Sequence, residues 1–273
     1  MNYALINHTL AFLMKEPTWD SPLEDEDFYG RKVEILSCEN YEWYKVKTNY
    51  NYTGFVHVSQ LLFDEEKINT WENVDKKLVQ QPYADVLSMP KVQGFHLASL
   101  TKGALVGMLE DANEDGWVKV LLCDGSCGYM KEKFIGDYIT SYSLEMEEKL
   151  RQDIVNTALT YMGTQYRWGG KSPLGIDCSG LCSVAYMLNG VIIYRDAAIA
   201  EGFPIHEIPY ENMRPADLLF FPGHVAMYIG EDRYVHSTGR NGSDGVVINS
   251  LNPSDKDYRE DLHCKLKVVG SLF

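Results

Sequence analysis

The first 63 residues alternate apolar and polar side chains over short runs, with turn residues between them. Three clear runs are Lys32–Leu36, Trp43–Val46 and Gly54–Val58. A period of two puts every second side chain on one face of a strand, where it can enter a core. Short strands at this close spacing predict a small β-barrel.

The pattern then returns further along the chain. Trp43–Val46 (Trp-Tyr-Lys-Val) is echoed by Trp117–Val120 (Trp-Val-Lys-Val), and Gly54 is echoed by Gly128. The step from Trp to Gly is 11 residues in both copies (54−43 and 128−117), so the copies are offset by 74. One shared offset predicts a duplicated small β domain. A coincidental pair of Trp-containing hairpins is the alternative.

Near residue 140 the hydrophobic period lengthens to about 3.6, which is typical of a helix. Leu150, Ile154, Ala158 and Met162 recur at four-residue spacing, and acidic residues crowd the first turn, where the helix dipole favours them. We expect this amphipathic helix to end at Gly163.

A second, mostly apolar helix is predicted from about Cys178 to Leu188. Strands follow it, with turn residues such as Pro222-Gly223 between them; the runs begin at Asp217, Val225, Arg233, Val246 and Lys267. Helices followed by an antiparallel sheet indicate an α+β domain.

These patterns predict a multidomain chain. Residues 1–63 would form one small barrel, 64–79 a charged linker, 80–139 a second barrel, and 140–273 the α+β domain.

Composition and charge exclude some classes of binding partner. The 273 residues carry a net charge of −14 with a pI near 4.9, which argues against nucleic acid because phosphate binding needs clustered Lys and Arg. The sequence contains no run of 18 apolar residues, so it predicts no membrane span. The first residues lack the pattern of a signal peptide. A cytoplasmic location is therefore expected, or an exported one if a leader has been removed. Six scattered cysteines do not suggest a disulfide framework.

Cys178 is the main chemical candidate because it lies at the predicted start of a helix. Partial positive charge and free N–H groups at that end favour a thiolate. Cys182, one turn later among apolar residues, is interpreted as a packing cysteine. Cys178 alone could equally be a buried structural cysteine.

A cysteine nucleophile needs a histidine base and a group that orients the base. His224 follows a predicted turn, and His236 lies 12 residues later on the next strand (236−224). Adjacent antiparallel strands would place the two rings side by side. His206 and His263 lie in loop-like sequence and are weaker candidates.

These residues carry a family resemblance. Asp177–Leu181 (Asp-Cys-Ser-Gly-Leu), Gly223–Gly230 and His236-Ser237 resemble the NlpC family of papain-like cell-wall peptidases over about residues 141–273. The two repeats upstream resemble bacterial SH3-like domains. The arrangement is similar to γ-D-glutamyl-L-diamino acid peptidases. That resemblance implies cleavage of the γ-D-Glu–diamino acid bond in peptidoglycan stem peptides with a free N-terminal L-Ala, releasing L-Ala-γ-D-Glu, without metal or cofactor.

The resemblance also implies roles for individual residues. Cys178 would attack the carbonyl, His224 would act as base and then acid, and His236 would orient His224. The Cys178 backbone N–H is the natural oxyanion donor, and Tyr166 is its candidate partner.

Substrate contacts are expected close to the nucleophile. A carboxylate can hold a free α-ammonium, and the resemblance gives this role to Asp177, with Ser179 beside it. Trp168, with Tyr166, would wall the cleft, and Asp196 would contact the D-Glu portion or support its loop. In relatives the first SH3-like domain covers the cleft, which makes Tyr52 a candidate contact.

Two other functions fit the same residues. An amidase or acyl transferase could use the same Cys-His-His set. A cell-wall binding protein could carry an inactive site and bind through its SH3-like domains. The intact set of catalytic residue types argues against the inactive binding protein.

Overall fold

Two compact units make up the computed structural model, which describes residues 2–273 and divides between residues 138 and 139. The first unit contains two antiparallel sheets of seven strands each. The strands of the first sheet are β1 (Tyr3–Ile6), β2 (Leu10–Met14), β3 (Leu23–Phe28), β4 (Lys32–Glu39), β5 (Trp43–Lys47), β6 (Thr53–His57) and β7 (Leu61–Leu62).

The second sheet repeats the first. A helix, α1 (Glu65–Asn73), separates the two sheets along the chain. The strands of the second sheet are β8 (Lys76–Val79), β9 (Tyr83–Leu87), β10 (His96–Thr101), β11 (Leu105–Glu110), β12 (Trp117–Leu121), β13 (Cys127–Lys131) and β14 (Ile135–Asp137). The spatial orders are β3-β2-β6-β5-β4-β1-β7 and β10-β9-β13-β12-β11-β8-β14, so each strand of one matches the strand seven later. The offset of 74 holds at strand ends (43+74=117 and 57+74=131). The duplication of an SH3-like fold is confirmed.

The alternating pattern builds the core of the first sheet, as expected for strands with one buried face. In β6, Gly54 and Val56 are buried, whereas Thr53 is exposed and Phe55 and His57 are partly exposed. The buried cluster consists of Ala4, Ile6, Ala11, Leu13, Val33, Val46, Val56 and Leu61.

The charged segment expected as a linker at 64–79 is partly a strand. Asp64 caps α1 by accepting a hydrogen bond from the Lys67 N–H, and Trp71 is 3% exposed and donates its indole N–H to the Gly30 carbonyl. β8 then joins the second sheet, so the connector ends before residue 76. The adjacent charges of Lys76-Lys77 concealed this strand in the sequence, although Leu78 and Val79 behind them are buried.

The second unit is an α+β domain, as predicted. Its helices are α2 (Glu147–Leu159), α3 (Cys178–Met187) and α4 (Glu260–His263). Its strands are β15 (Lys171–Ser172), β16 (Gly175–Ile176), β17 (His206–Ile208), β18 (Leu218–Phe221), β19 (His224–Gly230), β20 (Arg233–Thr238), β21 (Gly245–Ser250) and β22 (Val268–Ser271). The main sheet has the order β17-β22-β18-β19-β20-β21, and each neighbouring pair is antiparallel.

Helix α2 is shorter than its sequence pattern. It ends at Leu159, and Met162 lies beyond it with 45% of its surface exposed. Leu150, Ile154 and Ala158 are buried as expected. The four-residue spacing therefore identified the buried face but extended it one position too far.

A buried ion pair fastens α2 to the sheet. The Arg151 guanidinium donates to Asp217 at 2.9 Å and to the Ser271 hydroxyl at 3.5 Å. The two charged side chains are 5% and 0% exposed. Because each charge depends on the other in a poorly solvated interior, losing one partner leaves an uncompensated charge.

We expect Arg151→Met to lower the free energy of unfolding by about 3–5 kcal/mol, because Asp217 would remain buried without its main cation. Urea denaturation of the full chain measures the change. Lys149→Met on the same helix is the matched control, since the Lys149–Asp153 pair is solvent-exposed and such pairs contribute less than about 1 kcal/mol. Equal effects of the two substitutions would contradict the prediction.

No helix within residues 2–273 combines the length and apolar character that a membrane crossing needs.

Candidate active site

Cys178 is the first residue of α3, as predicted. The preceding residue, Asp177, is the N-cap: its backbone is extended and its carboxylate accepts the Gly180 N–H at 2.6 Å. The Cys178 N–H lies in the first turn, where a helix supplies no acceptor for it. The thiol therefore lies beside a backbone donor at the positive end of the helix dipole.

The glycine after Ser179 is required by close packing. A Cβ atom at Gly180 would lie 2.2 Å from the Gly170 carbonyl oxygen. Only a residue without a side chain lets the 166–176 segment approach the first turn of α3 this closely. The glycine in the Asp-Cys-Ser-Gly motif therefore sets the distance between the nucleophile and the loop that carries Tyr166 and Trp168.

A tight turn places the candidate base. Phe221 pairs with His224 across the β18–β19 hairpin, leaving a two-residue turn of Pro222-Gly223. Gly223 has φ +66°, a conformation that this turn requires and glycine adopts without strain. His224 is consequently held at the first position of β19, next to β20 in the sheet.

The two histidines lie side by side, as their spacing predicted. His224 Nε2 and His236 Nδ1 are 2.7 Å apart, and the rings meet edge to face with centroids 5.0 Å apart. His236 is fully buried in β20. The distance is that of a hydrogen bond between the two imidazoles. This bond uses Nε2 of His224, so Nδ1 is the ring nitrogen that can take part in proton transfer.

The Cys178 sulfur lies within hydrogen-bonding reach of Val225, the second residue of β19. The N–H groups of Val225 and Ser179 both bond to the thiol and favour its charged form. Burial acts in the opposite direction and is stronger, since Cys178 is 7% exposed. Burial, reinforced by Asp177, raises the pKa of the Cys178 thiol to about 11. The free site therefore holds a thiol, in contrast to the thiolate that the helix end alone favours.

Both histidines are neutral in this environment. Burial, with contributions from His236 and Arg259, lowers the pKa of His224 to about 3. Burial likewise lowers the pKa of His236 to about 4. An uncharged His224 can accept a proton from the thiol as a general base.

Alkylation of Cys178 by iodoacetamide is expected to accelerate with pH across the range from 6 to 10. With a thiol pKa of about 11, the reactive thiolate fraction rises about tenfold per pH unit below that value. Peptide mass spectrometry measures the rate in a variant whose exposed cysteines (Cys38, Cys127 and Cys264) are serines. A rate that is already constant between pH 6 and 8 would mean that the free site holds a thiolate.

Asp177 has more partners than we expected from the sequence. Arg195, 2% exposed, donates to both of its carboxylate oxygens at 3.1 Å. The Gly169 N–H donates to the same carboxylate at 2.9 Å, and Arg195 also donates to the Ser179 hydroxyl at 2.8 Å. A substrate ammonium at Asp177 would have to compete with this buried cation, so the geometry favours a positioning role for Asp177.

Ser179 and Asp196 share one pocket beside the nucleophile. Asp196 is exposed, and it hydrogen-bonds to the Tyr194 hydroxyl. The rest of the pocket is largely apolar, with lining residues that include Cys182, Phe203, Phe220 and Val225. The structure thus brings two of the predicted substrate contacts into the lining of one largely apolar pocket.

The aromatic candidates lie in different surroundings. Tyr166 is partly buried, and burial followed by the nearby Cys178 raises its pKa to about 12, so its hydroxyl stays protonated and can donate. Trp168 is 67% exposed. Tyr52 belongs to the first unit, where it packs against the core of the first sheet, and its substrate role stays a prediction.

Two site residues were not anticipated from the sequence. The Asn249 amide oxygen lies 2.9 Å from His236 Nε2, and Arg259 acts on the pKa of both histidines. A lone Asn in the Val-Ile-Asn-Ser strand gives no signal by itself. Only the pairing register of β20 and β21 indicates that Asn249 is close to His236, because Asn249 pairs with Tyr234, two residues before His236.

This geometry defines a class of protein. A thiol at a helix N-terminus, adjacent to a hydrogen-bonded histidine pair on an antiparallel sheet, is the arrangement of a papain-like cysteine peptidase.

Comparison with known proteins gives the family. The NlpC/P60 family model matches residues 163–261, which include Cys178, His224 and His236. The whole chain has a full-length relative at 43% identity. The chain belongs to the NlpC/P60 family, and it is an enzyme, a cysteine peptidase.

Three similar proteins bear on the chain as a whole. Dipeptidyl-peptidase 6 of Lysinibacillus sphaericus is 43% identical over 99% of both chains. Gamma-D-glutamyl-L-lysine dipeptidyl-peptidase of Bacillus subtilis (strain 168) is 27% identical over 89% of this chain and 80% of that protein. The crystal structure of an NlpC/P60 family protein from Bacillus cereus ATCC 10987 covers 98% of both chains with a TM-score of 0.79 at 21% identity. This structure shares the fold.

Proposed function

We propose that this peptidase hydrolyses the bond between γ-D-Glu and the diamino acid in peptidoglycan stem peptides that carry a free N-terminal L-Ala, and that it releases L-Ala-γ-D-Glu. The names of the two relatives support this proposal, since one is a dipeptidyl-peptidase and the other a γ-D-glutamyl-L-lysine dipeptidyl-peptidase. The observation that carries it is the exposed Asp196 carboxylate, which lines the same pocket as Ser179, the residue that follows the nucleophile.

Asp196 is the better of the two acids for binding the substrate's ammonium. It is exposed at the pocket, whereas Asp177 is 7% exposed and lies against the buried cation of Arg195. A charged hydrogen bond between Asp196 and the L-Ala ammonium would fix the substrate two residues upstream of the bond that is cut. Asp177 instead holds α3 and Arg195 in place.

The reaction follows from the proton positions in the site. As Cys178 Sγ attacks the γ-carbonyl carbon of D-Glu, His224 Nδ1 takes the thiol proton. The Cys178 N–H and the Tyr166 hydroxyl donate to the oxyanion. His224 then protonates the departing α-amine of the diamino acid, which leaves a thioester on Cys178. Water, deprotonated by His224, hydrolyses the thioester and regenerates the thiol.

Blocking the substrate's N-terminus tests the ammonium site. We expect N-acetylation of L-Ala-γ-D-Glu-diaminopimelate to lower kcat/KM on the order of 10²-fold, because it removes the positive charge that Asp196 would bind, and hydrogen bonds to charged groups contribute about 1.5–3 kcal/mol. Product analysis by mass spectrometry measures both rates.

Asp196→Asn should remove most of this preference, whereas Asp232→Asn, at an exposed turn in the same domain, should retain it. Equal rates on free and blocked peptides would rule out recognition of the ammonium. The expected cytoplasmic location stays a prediction, which subcellular fractionation would test.

A further inference from the structure

Asn249 has a fixed orientation beside the histidine pair. Its Nδ2 group donates to the Asp257 backbone carbonyl at 2.8 Å. A carbonyl can only accept, so the amide nitrogen must face Asp257 and the amide oxygen must face the other way. That oxygen lies 2.9 Å from His236 Nε2.

The orientation of the amide determines the protonation of both rings. The Asn249 oxygen can only accept, so the proton of His236 lies on Nε2. A neutral imidazole has one N–H, and His236 Nδ1 therefore carries a lone pair. His224 Nε2, 2.7 Å away, must then be the donor, which leaves His224 Nδ1 unprotonated.

We propose that Asn249 is a positioning residue that sets the tautomers of His236 and His224, so that the ring nitrogen of His224 left free is the one that accepts the Cys178 proton. The orientation of the Asn249 amide is set by the Asp257 backbone carbonyl, which can only accept a hydrogen bond. This inference deepens the proposed function and rests on it for the kinetic part of its test.

The segment that supplies this carbonyl is itself anchored. The Asp257 carboxylate pairs with Arg233 at 2.9 Å, and Asp255 accepts the Ser250 hydroxyl at 2.7 Å. The Asp257 carbonyl also accepts the Ser250 N–H at 3.3 Å. These bonds tie the loop after β21 to β20 and β21, so the acceptor for Asn249 stays in register with the strand that carries His236.

The tautomers can be read directly, without substrate. Long-range ¹H–¹⁵N correlation spectra of the full-length Cys178→Ala protein, labelled with ¹⁵N-histidine, should show His224 and His236 both protonated at Nε2. His224 protonated at Nδ1 in this spectrum would overturn the proposal. Because this experiment needs no turnover, it separates a failure of the relay from a failure of the proposed substrate.

Two substitutions separate hydrogen bonding from packing. Asn249→Asp keeps an acceptor for His236 Nε2, whereas Asn249→Leu removes it at similar volume. With L-Ala-γ-D-Glu-diaminopimelate, Asn249→Leu should lower kcat on the order of 10²-fold with little change in KM. A wrong tautomer in a comparable triad costs about 10⁴-fold, and the loss expected here is smaller because the substitution leaves the His236 tautomer unset and does not force the wrong one. Asn249→Asp should restore most of the loss and keep both Nε2 protons in the spectrum.

A third substitution controls for general disturbance of the loop. Asn252 accepts the Ser254 N–H within the same loop and does not bond to either histidine, so Asn252→Leu should leave kcat and the histidine spectrum unchanged. Equal losses for Asn249→Asp and Asn249→Leu, or a kcat for Asn249→Leu within about threefold of the parent, would refute the positioning role. Should Asn249→Leu fail to fold, the spectrum of Cys178→Ala and the kcat of Asn249→Asp still decide the question.

Discussion

Replacing Cys178 by alanine is expected to lower kcat/KM for L-Ala-γ-D-Glu-diaminopimelate on the order of 10⁴-fold or more, because no thioester can form without the thiol. The fold should persist. The contacts that hold the start of α3 come from the Asp177 carboxylate and the close approach of Gly180 to Gly170, and neither involves the sulfur. Steady-state hydrolysis measures the loss, and circular dichroism checks the fold.

Cys123→Ala is the matched control for this substitution. Cys123 lies in the first unit and is 1% exposed, so its removal affects packing without touching the reaction. We expect activity within about threefold of the parent and a loss of about 1 kcal/mol in stability. Hydrolysis by a folded Cys178→Ala protein at the parent rate would end the thiol mechanism.

Replacing His224 by glutamine should cost nearly as much as removing the thiol, whereas replacing His236 should cost less. In the proposed mechanism His224 carries the proton in both halves of the reaction, and His236 only orients His224. In a well-studied triad the base is worth about 10⁶-fold and the orienting residue about 10⁴-fold. We therefore expect kcat of the His224→Gln variant to be lower than kcat of the His236→Gln variant by about 10-fold or more.

His206→Gln provides the comparison for both substitutions. His206 lies exposed on the edge strand β17, away from the β19–β20 pair, and its replacement should leave kcat unchanged. Equal losses for His224→Gln and His206→Gln, measured on folded proteins, would show that the histidine pair is not the proton carrier.

Patterns that depend on neighbouring residues were readable in the sequence. The alternation around Trp43 and Trp117 predicted two copies of one sheet because every second side chain must enter a core, and the copies keep one offset. The 12-residue spacing of His224 and His236 predicted adjacent rings because a short turn between the strands brings them together. Cys178 was placed at a helix start because the mostly apolar segment from Cys178 to Leu188 is typical of a helix.

Features that depend on distant partners could not be read in the same way. Arg195 lies 18 residues from Asp177 in the chain and occupies the carboxylate that we had assigned to the substrate. Asn249 gains its role only through the fold, which sets its amide between a ring and a backbone carbonyl. β8 was hidden because its two lysines look like linker sequence, while its burial comes from pairing with β11 and β14.

The most direct test of the mechanism and the substrate together is the covalent intermediate. Acid quenching during hydrolysis of L-Ala-γ-D-Glu-diaminopimelate, followed by peptide mapping, should find the Cys178 peptide carrying L-Ala-γ-D-Glu as a thioester. That result would identify the nucleophile and the bond that breaks in one measurement. An adduct on another residue, an acyl group of different composition, or release of L-Ala-γ-D-Glu by a Cys178→Ala protein would contradict the account.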